Sequence, residues 1–196
     1  MLTDRYDNKL STDSQTARDL YVKAVDRVIS ADMDMEQGFQ AAIDADAGFA
    51  LAYSGLARAR QLSGNPTAAR DAMRVAVELS EKLPTQEAAH IHAMSLLIYG
   101  NMQEAYKAIR AHAAQYPRDV MIAQICTSVF GLIGFSGQPG REAELLAYTT
   151  SLAPHYGDDW WCLSLHACSY LEPGQTARGT ARVDQSLASR PRVASG

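Results

Sequence analysis

Glu87 and His90 stand three residues apart, a spacing that sets a carboxylate and an imidazole on one face of a helix. In helical bundles such a pair supplies metal ligands, provided that neighbouring helices add more. His155, Asp158, Asp159 and His166 are the residues that could add them, whereas His92 points to another side of the helix from His90. The plainer expectation is that Glu87 holds His90 in one tautomer near a helix start. His90 has the chemistry of a general base, but a base with no nucleophile or oxyanion donor beside it does not define a reaction.

Other chemistry-bearing residues are scattered. Trp160 and Trp161, after Asp158 and Asp159, are the densest aromatic feature, with an aspartate placed to cap the helix they open. Cys126, Cys162 and Cys168 lie in apolar stretches without disulfide or zinc-knuckle spacing and read as reduced packing residues. Glycines at 131, 134, 137 and 140 recur every third residue but lack the lysine, the hydroxyl and the preceding strand of a phosphate loop, so a turn is expected. With no nucleophile elbow and no nucleotide or metal fingerprint, neither a cofactor nor a catalytic residue is assigned.

The elements that must position these residues are helices. Ala17, Leu20, Tyr21, Ala24, Val25, Val28 and Ile29 make one apolar stripe, and the same period returns in segments of about twelve to twenty residues with no alternating β pattern. Val120 to Gly140 carries no charge, but Gln124, Thr127 and Ser128 interrupt it, leaving too short an apolar run for the roughly 20 residues a bilayer requires. A buried helix is expected there, followed by an irregular loop from Gly131 to Gly140. The 196 residues carry 22 acidic and 18 basic side chains, mixed along the chain. That distribution offers no footprint for nucleic acid or an anionic membrane. Nothing in the first twenty residues makes a secretory signal, and a cytoplasmic location is expected.

Segments also repeat. From Phe49 to Pro84 the chain places Tyr53, Leu56 and Ala57 in one helix, Gly64 at a turn, and Ala69, Met73 and Ala76 in the next. The pattern returns with Gly100, Ala105, Ile109 and Pro117, where His112 occupies the place of a second Ala. It returns again with Trp160, Leu163, Ser164, Gly174 and Pro191, and an incomplete copy holds Phe39, Ala42 and Ala47. Thr12 with Gln15 and Asn101 with Glu104 have the form of capping boxes, and Asn65-Pro66 that of an N-cap with a first-turn proline.

This pattern resembles the tetratricopeptide repeat. The resemblance implies an all-α fold, a right-handed superhelical solenoid of about five antiparallel hairpins, at 13–46, 48–82, 85–116, 118–153 and 158–190, forming one domain over 1–196. The words Leu10-Ser11-Thr12, Phe49-Ala50-Leu51-Ala52, Glu87-Ala88-Ala89-His90 and His155-Tyr156-Gly157-Asp158-Asp159-Trp160-Trp161 resemble the tetratricopeptide repeat protein 38 family. Members of that family continue further, so the chain reads as an N-terminal part. No polar helix caps the last apolar face, which makes that face a surface for a partner or for self-association.

In such a solenoid the first helix of each pair lines the concave face. Here those positions are Ser54, Arg58 and Gln61, then Glu87, His90 and Met94, then Gln124 and Ser128, then Asp158 and Trp161. A polar groove of this kind suits a peptide or protein segment, with Trp161 as an anchor and Arg58 pairing a carboxylate. The lysines that clamp a chaperone's C-terminal carboxylate are missing. The functional expectation is a non-catalytic scaffold. Its alternative is part of an enzyme or of a small-molecule or metal-binding protein using Glu87, His90 and Asp158.

Overall fold

The computed structural model describes residues 2–32 and 34–189. A two-stranded antiparallel ribbon, β1 (Leu2–Thr3) with β2 (Lys9–Leu10), pairs Leu2 with Leu10 and Thr3 with Lys9. Helices follow: α1 (Gln15–Ile29), α2 (Met35–Ala45), α3 (Ala50–Leu62), α4 (Pro66–Leu79), α5 (Thr85–Ile98) and α6 (Met102–Gln115). Then come α7 (Val120–Ala123), α8 (Arg141–Tyr156), α9 (Trp160–Leu171) and α10 (Thr176–Ser189). The expected all-α stack of helical hairpins is what forms. Among the described residues no helix is long and apolar enough to cross a membrane.

The chain divides into two compact units, Met1–Ala123 and Gln124–Gly196, with the boundary inside the expected fourth hairpin. In the first unit α1 packs on α2, α3 on α4 and α5 on α6, and successive pairs pack through α2 with α3 and α4 with α5. In the second, α9 packs on both α8 and α10. Residues 190–196, including Pro191 and the terminal face that ends on them, lie outside the described residues.

Local chemistry explains the repeat. Gly64, Gly100 and Gly174 follow α3, α5 and α9 at φ of 78°, 87° and 80°. Each is succeeded by a residue whose amide reaches back five positions: Asn65 to Arg60 O, Asn101 to Leu96 O and Gln175 to Tyr170 O, at 2.8 to 2.9 Å. This is the left-handed C-terminal stop that glycine adopts at no steric cost. Small residues lie where helices cross closely. A Cβ on Gly55 would sit 2.2 Å from the Phe39 ring, so α2 meets α3 only because that position is bare. Phe39 and Phe49 are fully buried with Tyr21 between them, ring centroids 5.9 and 5.0 Å away.

Three expectations need correction. The N-cap of α1 is Ser14, which accepts from the Ala17 amide at 3.1 Å, while Thr12 donates to the Asp46 carboxylate. Asn101 makes no side-chain cap, and Glu104 instead pairs with Lys107 at the surface. The uncharged stretch from Val120 gives the single turn of α7 and two 3-10 turns, Gln124–Cys126 and Gly134–Ser136, in place of a buried helix. There Thr127 bonds back to the Gln124 carbonyl at 3.0 Å and the Leu132 amide takes the Ile125 carbonyl at 2.9 Å, side-chain and loop bonds that replace a continuing helical ladder. Asn65, by contrast, caps α4 with Pro66 at its first position, and Asp159 caps α9 by accepting from the Trp161 and Cys162 amides.

Candidate functional site

The first unit holds its polar chemistry inside. Asp119 immediately precedes α7, fixed by its amide to Tyr116 O at 3.1 Å and by the Ala123 amide to its own carbonyl at 2.9 Å. One oxygen of its carboxylate, Oδ2, is shared by two imidazoles, Nδ1 of His90 on α5 and Nε2 of His112 on α6, each 2.8 Å away. A carboxylate can only accept, so both ring nitrogens carry hydrogen and donate. The remaining nitrogen of His90 meets Ser54 Oγ of α3 at 3.1 Å, while that of His112 has no partner among the described residues. All four residues are buried.

Burial by itself would raise the Asp119 carboxyl, yet the charge and hydrogen bonds of His90 and His112 hold it well below the usual carboxylate range. Glu87 shows the opposite balance. It is 4% exposed, and burial raises its carboxyl above the ordinary value although the Ser11 amide donates to Oε1 at 2.8 Å. Its other oxygen, Oε2, has no partner among the described residues. Asp4 is likewise raised by burial. Asp4, Glu87, His90, Asp119 and Tyr21 line one cavity of about 10 Å³. Burial, and then Asp119, Asp4 and Glu87, push the Tyr21 phenol far up.

Ser54, His90 and Asp119 are connected in the order of a nucleophile, a base and an orienting carboxylate. The hydroxyl, however, belongs to a residue with 0% exposure inside α3, where a substrate carbonyl cannot approach it. What the arrangement does here is positional: one carboxylate ties α5, α6 and the start of α7 together. Glu87 does not hold His90; its partner is Ser11.

The predicted groove is redistributed by this packing. Ser54, Glu87, His90, Met94 and Trp161 are buried rather than presented to solvent. Trp161, 3% exposed, packs on Tyr156 at 5.2 Å, while its neighbour Trp160 is half-buried. Arg58 and Gln61 remain at the surface of the first unit as a pair, Nη1 to Oε1 at 2.7 Å. Arg58 has no carboxylate within ion-pair distance among the described residues, its Nε is unpartnered, and burial lowers its pKa to about 10. Gln124, Ser128 and Asp158 belong to the second unit, the first two half-buried and the last exposed. There His166 is buried against Thr150 Oγ1 at 3.1 Å, His155 is exposed, and Cys168 is exposed where Cys126 and Cys162 are buried.

Two features escaped the sequence reading. One is the pairing of His112 with Asp119, although a histidine in place of a small repeat residue was a visible departure. The other is the loop after the 3-10 turn, which carries Phe130 and Phe135 at 77% and 72% exposure with ring centroids 5.8 Å apart.

No protein-family model and no curated protein sequence matches the chain, so the narrower resemblance to the tetratricopeptide repeat protein 38 family gains no support. Among solved structures, the chain is similar to YrrB, described as a TPR protein with an unusual peptide-binding site. That match is at 11% identity, covers 92% of this chain and 88% of that one, and has a TM-score of 0.46. A likeness at that level carries no weight for function.

Proposed function

We propose that this chain is a non-catalytic scaffold that docks a protein partner, with Phe130 and Phe135 as the anchor. The observation that carries the reading is the pair of rings held out on a loop that is itself fixed. Ile133, between them, is fully buried and fastens the loop to the core. The Leu132 amide bonds Ile125 O, the Phe135 amide bonds Gly131 O at 3.0 Å, and Arg141 Nη1 bonds Gly134 O at 2.9 Å. Gly131 and Gly134 lie so close to backbone that a Cβ would come within 2.5 Å of Ile125 O and 2.0 Å of Val129 O. Two aromatic rings on a preorganised support lose little freedom on binding, and aromatic anchors of this kind dominate protein interfaces.

The partner is a protein with an apolar pocket able to receive both rings. On the first unit, Arg58 with Gln61 supplies the second recognition element, since a half-buried guanidinium lacking a carboxylate gains a charge-assisted bond from a carboxylate on a bound segment.

A photo-crosslinking amino acid placed at position 135 in the living source cell tests the reading. The expected result is one dominant covalent adduct, identified by mass, that falls at least tenfold when Phe130→Asp is added and is absent when the probe stands at exposed Ser151. Adducts no different from those at Ser151 overturn it, and an adduct of twice the chain mass replaces the hetero-partner by a second copy. Loss of affinity in Arg58→Ala that Arg58→Lys largely restores is the expected signature of the carboxylate contact.

A further inference from the structure

The geometry points to a divalent transition-metal site formed by His90, His112 and Asp119, a ligand set distinct from the one expected around Glu87. The nitrogens of the two imidazoles and a carboxylate oxygen all lie within 4.8 Å of one another, and the three residues are buried. Two imidazoles and one carboxylate are the donor set that takes zinc or ferrous iron, with metal to donor distances of about 2.0 to 2.2 Å. Tetrahedral binding at those lengths separates neighbouring donors by about 3.3 Å. The N to O separations of 2.8 Å are about 0.5 Å short of that spacing, so an ion seats among the three donors once the two rings and the carboxylate move slightly apart.

Three further observations fit a cation and not merely a hydrogen-bonded knot. First, Asp4, Glu87 and Asp119 gather three carboxylates around one small cavity whose lining contains a single lysine, Lys9, which is exposed. Buried negative charge in such excess is costly unless a cation offsets it. Second, the cavity of about 10 Å³ lies against His90 and Asp119 and approaches the volume of one water. A fourth ligand there can only be a water. Third, that water has an acceptor waiting: Glu87 lines the same cavity, and its Oε2 is buried with no partner among the described residues. With a metal on Nδ1, the hydrogen of His90 would stand on Nε2, 3.1 Å from Ser54 Oγ, the kind of outer contact that fixes a ligating imidazole.

Because all ligands are enclosed, the metal enters as the three segments come together, and the site is structural. Folding and metal uptake are then a single event.

The full chain, produced in zinc-supplemented medium and also refolded with cobalt(II) alone, provides the test. One metal per chain by native mass spectrometry is expected, together with intense visible cobalt bands of low coordination number and no thiolate charge-transfer band. His112→Gln and Asp119→Asn are expected to lose both. If either variant fails to fold, Glu87→Gln keeps every ligand and is expected to weaken metal binding by about 10- to 100-fold, the usual effect of removing an outer-shell contact. Less than a tenth of an equivalent of zinc with a cobalt spectrum like that of the aqueous ion overturns the assignment. So does stoichiometric metal that persists in the ligand variants, or an affinity unchanged in Glu87→Gln.

Discussion

Two regions of this molecule invert the ordinary rule of apolar inside and polar outside, in opposite directions. Around Asp119 ionisable groups are enclosed, whereas between Phe130 and Phe135 large rings are exposed. The first inversion is held at Asp119 by shared bonds: two donors meet one acceptor, and removing any one of the three strands the others. The second is sustained by the backbone, which leaves the rings no route inward. One region therefore registers on stability when altered, and the other on association. Exposed aromatic area with no structural duty is where a partner is to be sought.

The largest effect that would break this contrast is expected from Asp119→Ala, which strands two buried imidazoles. A loss of about 3 to 5 kcal/mol is predicted from urea denaturation, and a change under 1 kcal/mol would mean that the cluster does not tie the helices. Gly134→Ala comes next. Its methyl group would meet Val129 O, so the loop must open at a cost of about 1 to 3 kcal/mol, an overpacking penalty. Faster hydrogen exchange at the Leu132 and Phe135 amides would report the opening.

Acid sharpens the comparison further. The Asp119 carboxyl sits below its ordinary 3.8 in the folded chain, so on acidification the unfolded chain binds the proton first. Its contribution is complete above about pH 4 and fades as pH falls further. Glu87 and Asp4, raised by burial, act in the opposite sense: they favour the fold when protonated and lose that contribution as pH rises through their folded values. Asp119→Asn is therefore expected to flatten the acid limb of a denaturation series, and an acid limb as steep as that of the unaltered chain would remove Asp119 as its cause. The smallest effect belongs to Phe130→Ser with Phe135→Ser, expected to shift stability by no more than about 0.5 kcal/mol for each surface change while abolishing co-purification of the partner identified by crosslinking.

The hairpins were legible because they follow from local signals: stripes of period 3.6, glycine stops and an Asn-Pro start all act within a few residues. Asp119 was not, because after Pro117 it reads as an ordinary helix-start residue and its partners are 7 and 29 positions away. Its meaning is tertiary. His112 carried a trace of it, since a histidine at a helix crossing must find a partner once enclosed. The groove expectation failed at Ser54, Glu87, His90, Met94 and Trp161 for a related reason. Repeat offsets assign faces to helices, but tertiary neighbours decide which faces are covered: the ribbon meets α5 at Gln86 and Glu87, His90 closes on Ser54 and Asp119, and Trp161 packs on Tyr156. Phe130 and Phe135 were hidden by composition, because a run of apolar residues reads as core until a backbone bend turns two of them outward.

The N-terminal ribbon carries a consequence for the order in which the molecule is made. Asn8 donates to the Arg118 carbonyl across 110 positions and accepts from Gln86, Ser11 is held by Glu87, and Arg118 pairs with Asp7. During translation at about 5 to 20 residues per second, these first residues leave the ribosome roughly 5 to 20 seconds before their partners exist. The helical pairs can close as they emerge, and the ribbon can meet α1 early through Arg5 and Asp26, but its bonds to Gln86, Glu87 and Arg118 must wait until the third pair is complete. Its closure is thus a late checkpoint in biogenesis: a nascent chain stalled before residue 118 would present an unfastened ribbon to proteases, and one past it would not.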